Sequence, residues 1–218
     1  LDMFRNPKLA ASVYACEQDE IPVLQITSSM DIGEHPGCNR GNLYILSNAD
    51  SVRMYKNDRF IKEYRPEMSP YKHLKHGPIL IDDFIGDALE KNERFRPKHA
   101  KEMADAMNIV ARGSLNHIPK RLYPTALKLV LLYHIDFAEV TKLYTKYIGD
   151  WGGTATVYRF DAIKDGKVIK SVTKEPVNGI RLQAEADHTN LTEHHSYDVA
   201  LVRIRAVDAH GNVLPFYQ

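Results

Sequence analysis

The sequence predicts a mainly β protein: an antiparallel β-sandwich interrupted by an α insertion of about four helices. Three observations carry that prediction. Period-two apolar alternation and tight-turn dipeptides recur on both sides of the chain, from Ile21 to Tyr64 and from Tyr158 onward. Between about residues 78 and 150 the apolar period lengthens to that of a helix. The 218 residues, 44% hydrophobic and 26% charged, suffice for a real core, because a chain this long hides about 70% of the surface it exposes when unfolded.

Residues 1–18 open the chain as one amphipathic helix, with Phe4, Leu9, Val13 and Tyr14 as its stripe and Pro7 suited to its first turn. Val23, Leu24 and Ile26 form a short β-prone run. A loop rich in turn formers follows, with Gly33, Pro36, Gly37, Asn39 and Gly41. Leu43 to Leu46 reads as a buried strand. Val52 and Met54 alternate with polar neighbours, Asn57-Asp58 supplies the left-handed backbone of a hairpin turn, and Phe60 to Tyr64 returns.

Ile81, Phe84, Ile85, Ala88 and Leu89 fall on one helix face. Pro97 starts a second helix with Ala100, Met103, Ala104 and Met107 as its stripe, and Gly113 stops it. Pro124 starts a third, through Leu127, Val130, Leu131 and His134. Asp136 is an N-cap for a fourth, with Glu139 three residues on. Phe137, Val140, Tyr144, Tyr147 and Ile148 make its inner face, and Gly149 ends it. After Trp151 the β pattern resumes. Tyr158, Phe160 and Ala162 alternate, Asp165-Gly166 turns the chain, and Val168 to Thr173 returns. Ile180, Leu182, Ala184 and Ala186 alternate on a further strand. Tyr197 to Val207 reads as a long strand, and His210-Gly211-Asn212 turns it into a last short one.

Charge and motifs exclude several functions. With 29 basic and 28 acidic residues, the net charge of +1 gives no global attraction to nucleic acid or to an anionic membrane. No apolar run is long enough to span a membrane, and no signal-peptide pattern follows Leu1. The dinucleotide fingerprint, the P-loop, the nucleophile elbow and the zinc-protease helix motif are all absent from the sequence. Cys16 and Cys38 could form one bridge at most, and Cys38 reads as a structural thiol rather than a nucleophile. No cofactor is expected.

Each remaining chemical constellation has a plainer reading that outweighs it. His188, His194 and His195 lie in one segment joining two strands. A metal site needs further ligands and an orienting shell, so these read as loop histidines, as do His73 and His76. Asp82-Asp83 and Asp19-Glu20 are adjacent carboxylates, which do not face the same way on a helix and so do not make an acid–base couple. No catalytic residue and no metal ligand is assigned. Trp151, between Gly149 and Gly152, is the candidate substrate-binding residue because indole rings stack on sugars; an anchor at the junction of helices and sheet is its plainer role. Leu127 to His134 and Phe137 to Ile148 have the order of a helix-turn-helix. The second helix offers Lys142 and Lys146 but also Glu139, so a helical hairpin packed for stability is preferred.

Arg5-Asn6-Pro7-Lys8-Leu9-Ala10, followed by Val13-Tyr14, resembles the end of the catalytic barrel of glycoside hydrolase family two. There a closing helix leads into a C-terminal sandwich. Asn48-Ala49-Asp50-Ser51-Val52 and Tyr55-Lys56-Asn57-Asp58 are similar to that sandwich's first hairpin. Tyr197-Asp198-Val199-Ala200, with Val207 to Pro215, resembles its last. Within the family the long form with a helical insertion is the most similar, that of bacterial β-galactosidases. Two positions depart from the pattern: Asp58 stands where the family has glycine, which a turn tolerates, and Leu9 where it has a second proline.

The resemblance implies an immunoglobulin-like sandwich from residues 19–77 and 151–218, a helical insertion at 78–150, and residues 1–18 as the closing helix of a barrel absent from this chain. It implies a non-catalytic C-terminal region whose parent hydrolyses β-galactosides, or else β-glucuronides or β-mannosides, in a bacterial cytoplasm. The family's two glutamates lie on the barrel, about 5 Å apart in a retaining enzyme, so no residue here inherits their roles. The expected partner is the barrel, with carbohydrate as a possible ligand and neither nucleic acid nor membrane. A free-standing carbohydrate- or protein-binding module is the alternative.

Overall fold

The computed structural model describes residues 7–30, 40–113, 120, 123–124, 136–149 and 156–214. Contacts divide the chain into two compact units, Leu1–Glu175 and Pro176–Gln218. It is mainly β, and every strand pair described is antiparallel. No described helix is long and apolar enough to cross a membrane.

The first unit opens with helix α1 (Leu9–Ala15), shorter than the 18 residues its periodicity allows. Three strands follow in a small sheet of order β1-β2-β5: β1 (Leu24–Ile26), β2 (Tyr44–Ser47) and β5 (Ile79–Leu80). A four-stranded sheet of order β4-β3-β6-β7 holds β3 (Ser51–Lys56), β4 (Arg59–Tyr64), β6 (Tyr158–Lys164) and β7 (Lys167–Lys174). Its two hairpins turn where the dipeptides predict. Asn57 and Asp58 sit at φ 48° and 60°, Asp165 and Gly166 at φ 51° and 73°, the mirror-image turn that matches strand twist. The central pair β3–β6 joins segments from either side of the helices. Val52, Met54, Tyr158, Phe160 and Ala162 bury one face of this sheet.

Helices α2 (Ala88–Glu93), α3 (Pro97–Arg112) and α4 (Phe137–Tyr144) lie between the two hairpins in sequence, and a wide π turn, Thr145–Gly149, extends α4. The α3 stripe of Ala100, Met103, Ala104 and Met107 is buried in one core with residues of both sheets. Asp136 caps α4 as the sequence predicts, its carboxylate accepting from the Glu139 N–H at 2.6 Å. The helix starting at Pro124, the Gly33–Asn39 loop and Trp151 lie outside the described residues apart from Pro124 itself.

Besides the shortened α1 and the strand β5 at Ile79–Leu80, where the apolar period reads as helical, two elements differ from prediction. Ile81, Phe84 and Ile85 are fully buried but not helical; the helix begins only at Ala88. Asp83 Oδ1 accepts from the N–H groups of Ile85 and Gly86 at 2.9 and 3.0 Å, and Gly86 takes φ 59°. This side-chain turn competes with helix for the same backbone donors. In the second unit β8 (Arg181–Ala186) pairs with β9 (Val202–Val207), so the strand expected from Tyr197 starts five residues late. Asp198 accepts from the Val199 and Thr192 N–H groups, holding that stretch as loop. Val213 makes a single bridge to Val207 after the His210–Asn212 turn.

One face of the β8–β9 hairpin is apolar, pairing Leu182 with Ala206, Ala184 with Ile204 and Ala186 with Val202. The other face pairs Gln183 with Arg205 and Glu185 with Arg203. Leu182, Val202 and Ile204 are 74%, 53% and 67% exposed, so the second unit does not bury this face within itself.

Candidate functional site

Among the described residues of the first unit, a dense polar cluster surrounds the C-terminal end of α4. A helix leaves its last carbonyls without intrahelical partners. Here two cations take them. Lys56 Nζ donates to the Tyr147 carbonyl at 2.7 Å, and Arg40 Nη2 to the Ile148 carbonyl at 2.9 Å. Arg40 Nη1 donates to the Met30 carbonyl at 3.0 Å. The Arg40 guanidinium stacks 5.1 Å from the ring centres of both Phe84 and Tyr158, and Lys56 lies 5.7 Å from that of Tyr158. Cations suit both the negative end of a helix and the face of an aromatic ring. Strand β3, strand β6 and the residue before Gly41 thus converge on one turn.

Around it, the Tyr147 hydroxyl donates to Glu93 Oε1 at 2.6 Å and Lys146 Nζ to the same oxygen at 2.7 Å. These two, Lys146 first, hold the Glu93 carboxyl below the usual range. Burial, and then the Glu93 bond, push the Tyr147 phenol up. Farther along, Asn57 Oδ1 accepts from the Val157 N–H at 2.8 Å. The backbone is therefore gripped just before residue 150 and just after residue 155. The contacts described here run to carbonyls, rings and one another, which is positioning of backbone rather than proton-transfer chemistry.

The other candidates separate. Asp82 takes Lys62 Nζ at 2.8 and 2.9 Å, while Asp83 binds backbone N–H groups and Asn108 Nδ2 at 2.9 Å. Asp19 pairs with Lys75 Nζ at 2.5 Å, while Glu20 is exposed. In the second unit His188 sits between carboxylates, Nδ1 2.8 Å from Asp187 and Nε2 3.7 Å from Asp198; His194 and His195 are exposed. Among the described residues no three His, Cys, Asp or Glu side chains could hold a metal ion. His73 lies edge-on to Tyr71 at 6.4 Å. Burial pushes the Cys16 thiol up to about 11, which keeps it protonated and unreactive. Cys38 and Trp151 fall outside the described residues.

The motif residues of the first hairpin have structural work. Asn48 Oδ1 accepts from the Val23 N–H, and its Nδ2 donates to the carbonyls of Gln18 and Ile21. Asp50 Oδ2 accepts from the Asp165 N–H at 2.8 Å. Arg40, Lys56, Tyr147 and His76 carry no sequence signal of their roles, because each role arises from partners distant along the chain.

No family model matches the chain. An 81-residue stretch is 33% identical to a β-galactosidase of Thermoanaerobacter pseudethanolicus; the stretch is 36% of this chain and 11% of that enzyme. This is a sequence relationship to a glycoside hydrolase. Among solved structures, a β-glycosidase from Bacteroides vulgatus aligns over 99% of this chain and 18% of its own, with a TM-score of 0.47 and 11% identity. The chain thus spans a small part of the length of either enzyme.

Proposed function

We propose that this chain is a non-catalytic, C-terminal region of a family-two glycoside hydrolase whose parent hydrolyses β-galactosides. It would be an immunoglobulin-like sandwich carrying the 78–150 insertion, with residues 1–18 closing the parent's barrel. The observation that carries this reading is the 33% identity to a β-galactosidase of which the chain matches 11%. The apolar face of β8–β9, which its own unit leaves unburied, supports a scaffold part with a partner, since a two-stranded hairpin is marginal by itself. In this reading the barrel is that partner, the setting is the bacterial cytoplasm, and Trp151 is the candidate sugar-binding residue.

The purified chain is expected to fold and to leave an aryl β-galactoside intact. Turnover that copurifies with the chain would overturn the non-catalytic reading. Calorimetric titration with lactose addresses Trp151. Heat of binding that Trp151→Ala abolishes supports a sugar-facing indole, and a titration unchanged by Trp151→Ala removes that role.

A further inference from the structure

Helix α1 contains no fully buried side chain. Its attachment falls to the segment that follows. Cys16 is fully buried, and Asn48 holds the carbonyls of Gln18 and Ile21. The third hold is a polar clamp on the loop before β5. The Glu17 carboxylate accepts from the N–H groups of Lys75 and His76 at 3.3 and 3.2 Å. Asp19 pairs with Lys75, and Lys164 Nζ, at the end of β6, donates to the Asp19 carbonyl at 3.3 Å. Inside this clamp lies the His76 imidazole. The residue is 9% exposed, and neither ring nitrogen has a hydrogen-bond partner. Its nearest carboxylate oxygen, on Asp19, is 3.9 Å from Nε2.

The geometry points to His76 as an acid-triggered release for this clamp, freeing the 16–21 segment and α1 from the 71–78 loop when the imidazole takes up a proton. A neutral ring sits in the clamp at little cost beyond two unmade hydrogen bonds. An imidazolium there has no hydrogen-bond acceptor and must be hydrated, and water reaches it when the clamp opens. The charged groups around the ring are mixed. Lys75 on its own loop and Lys164 from β6 oppose protonation; Asp19 and Glu17 favour it. Burial, then Lys75, outweigh the carboxylates and hold the group below the usual histidine range. With the native value depressed, the clamp's contribution is full above the ordinary pKa of about 6.5 and falls as pH drops toward the lower native value.

Opening also changes a surface. An apolar groove of about 230 Å³ is lined by Leu9 and Val13 of α1, Tyr44 and Leu46 of β2, and Tyr71 and Pro78. The last two belong to the clamped loop, so the release widens the groove.

Hydrogen–deuterium exchange of the intact chain tests this. Protection of the Lys75 and His76 amides, corrected for intrinsic exchange, is expected to fall by up to about tenfold per pH unit below about pH 6.5, the slope of a single proton uptake. In His76→Phe, which keeps a ring but cannot titrate, protection is expected to stay level over the same range. Where the Phe variant does not fold, His76→Gln serves the same purpose. Level protection in the wild type overturns the proposal, and so does the same fall in a variant without the imidazole.

Discussion

Arg40 brings a guanidinium into the core of the first unit, where it joins parts of the chain as far apart as Met30 and Ile148. It ties the Met30 carbonyl to the Ile148 carbonyl and lies against Phe84 and Tyr158. Arg40→Met keeps much of the side-chain volume but leaves two buried carbonyls without these donors. The expected cost is about 2–4 kcal/mol, read as a lower urea midpoint at unchanged slope. A loss below about 0.5 kcal/mol, the scale of a surface substitution, would show that water replaces the guanidinium without penalty. Arg40 was not legible in the sequence. An arginine beside Gly41 in a turn-rich stretch reads as solvated, and only the packing of α4 against the sheet reveals otherwise. His76 was hidden for the same reason. Asp136 was legible, because a cap is made within three residues of the side chain that makes it.

At the scale of elements, the contest at residues 81–88 separates what pattern can tell from what it cannot. Ile81, Phe84, Ile85, Ala88 and Leu89 have helical spacing, and all five are buried, so the pattern identified the inward residues correctly. The backbone that carries them is decided by Asp83. Its Oδ1 serves two backbone N–H groups and Asn108, while Asn108 Oδ1 accepts from the Phe84 N–H at 3.0 Å. This hub fastens the turn to α3. Asp83→Ala removes three acceptor contacts at once and is expected to cost about 2–3 kcal/mol in urea unfolding, more than a typical surface change. If periodicity alone governed the segment, the variant would instead gain helix in far-ultraviolet circular dichroism at unchanged stability. The hairpins at Asn57-Asp58 and Asp165-Gly166 posed no such contest, since few dihedral combinations join two twisted strands in two residues.

Across the whole molecule the two units differ in what they bury. In the first, both sheets and α2, α3 and the π turn contribute to one core that includes Tyr64, Tyr158, Phe84 and Phe160. In the second, β8 has no buried residue, and β9 buries only Val207. The alternation at Leu182, Ala184 and Ala186 was legible as a strand with one apolar face. What covers that face was not, because alternation records that a face is meant for burial and not what lies against it. Pro176–Gln218 is close to the ~40-residue floor below which domains rarely fold alone, and its one hairpin is a sheet of the marginal size. Expressed separately, residues 176–218 are therefore expected to give the circular dichroism of an unfolded chain. Residues 1–175 are expected to keep one cooperative urea transition, since their core is assembled within that span. A cooperative transition from the 176–218 peptide by itself would show that its hairpin buries enough without a cover, and would remove the support that the exposed Leu182–Ile204 face lends to a scaffold role.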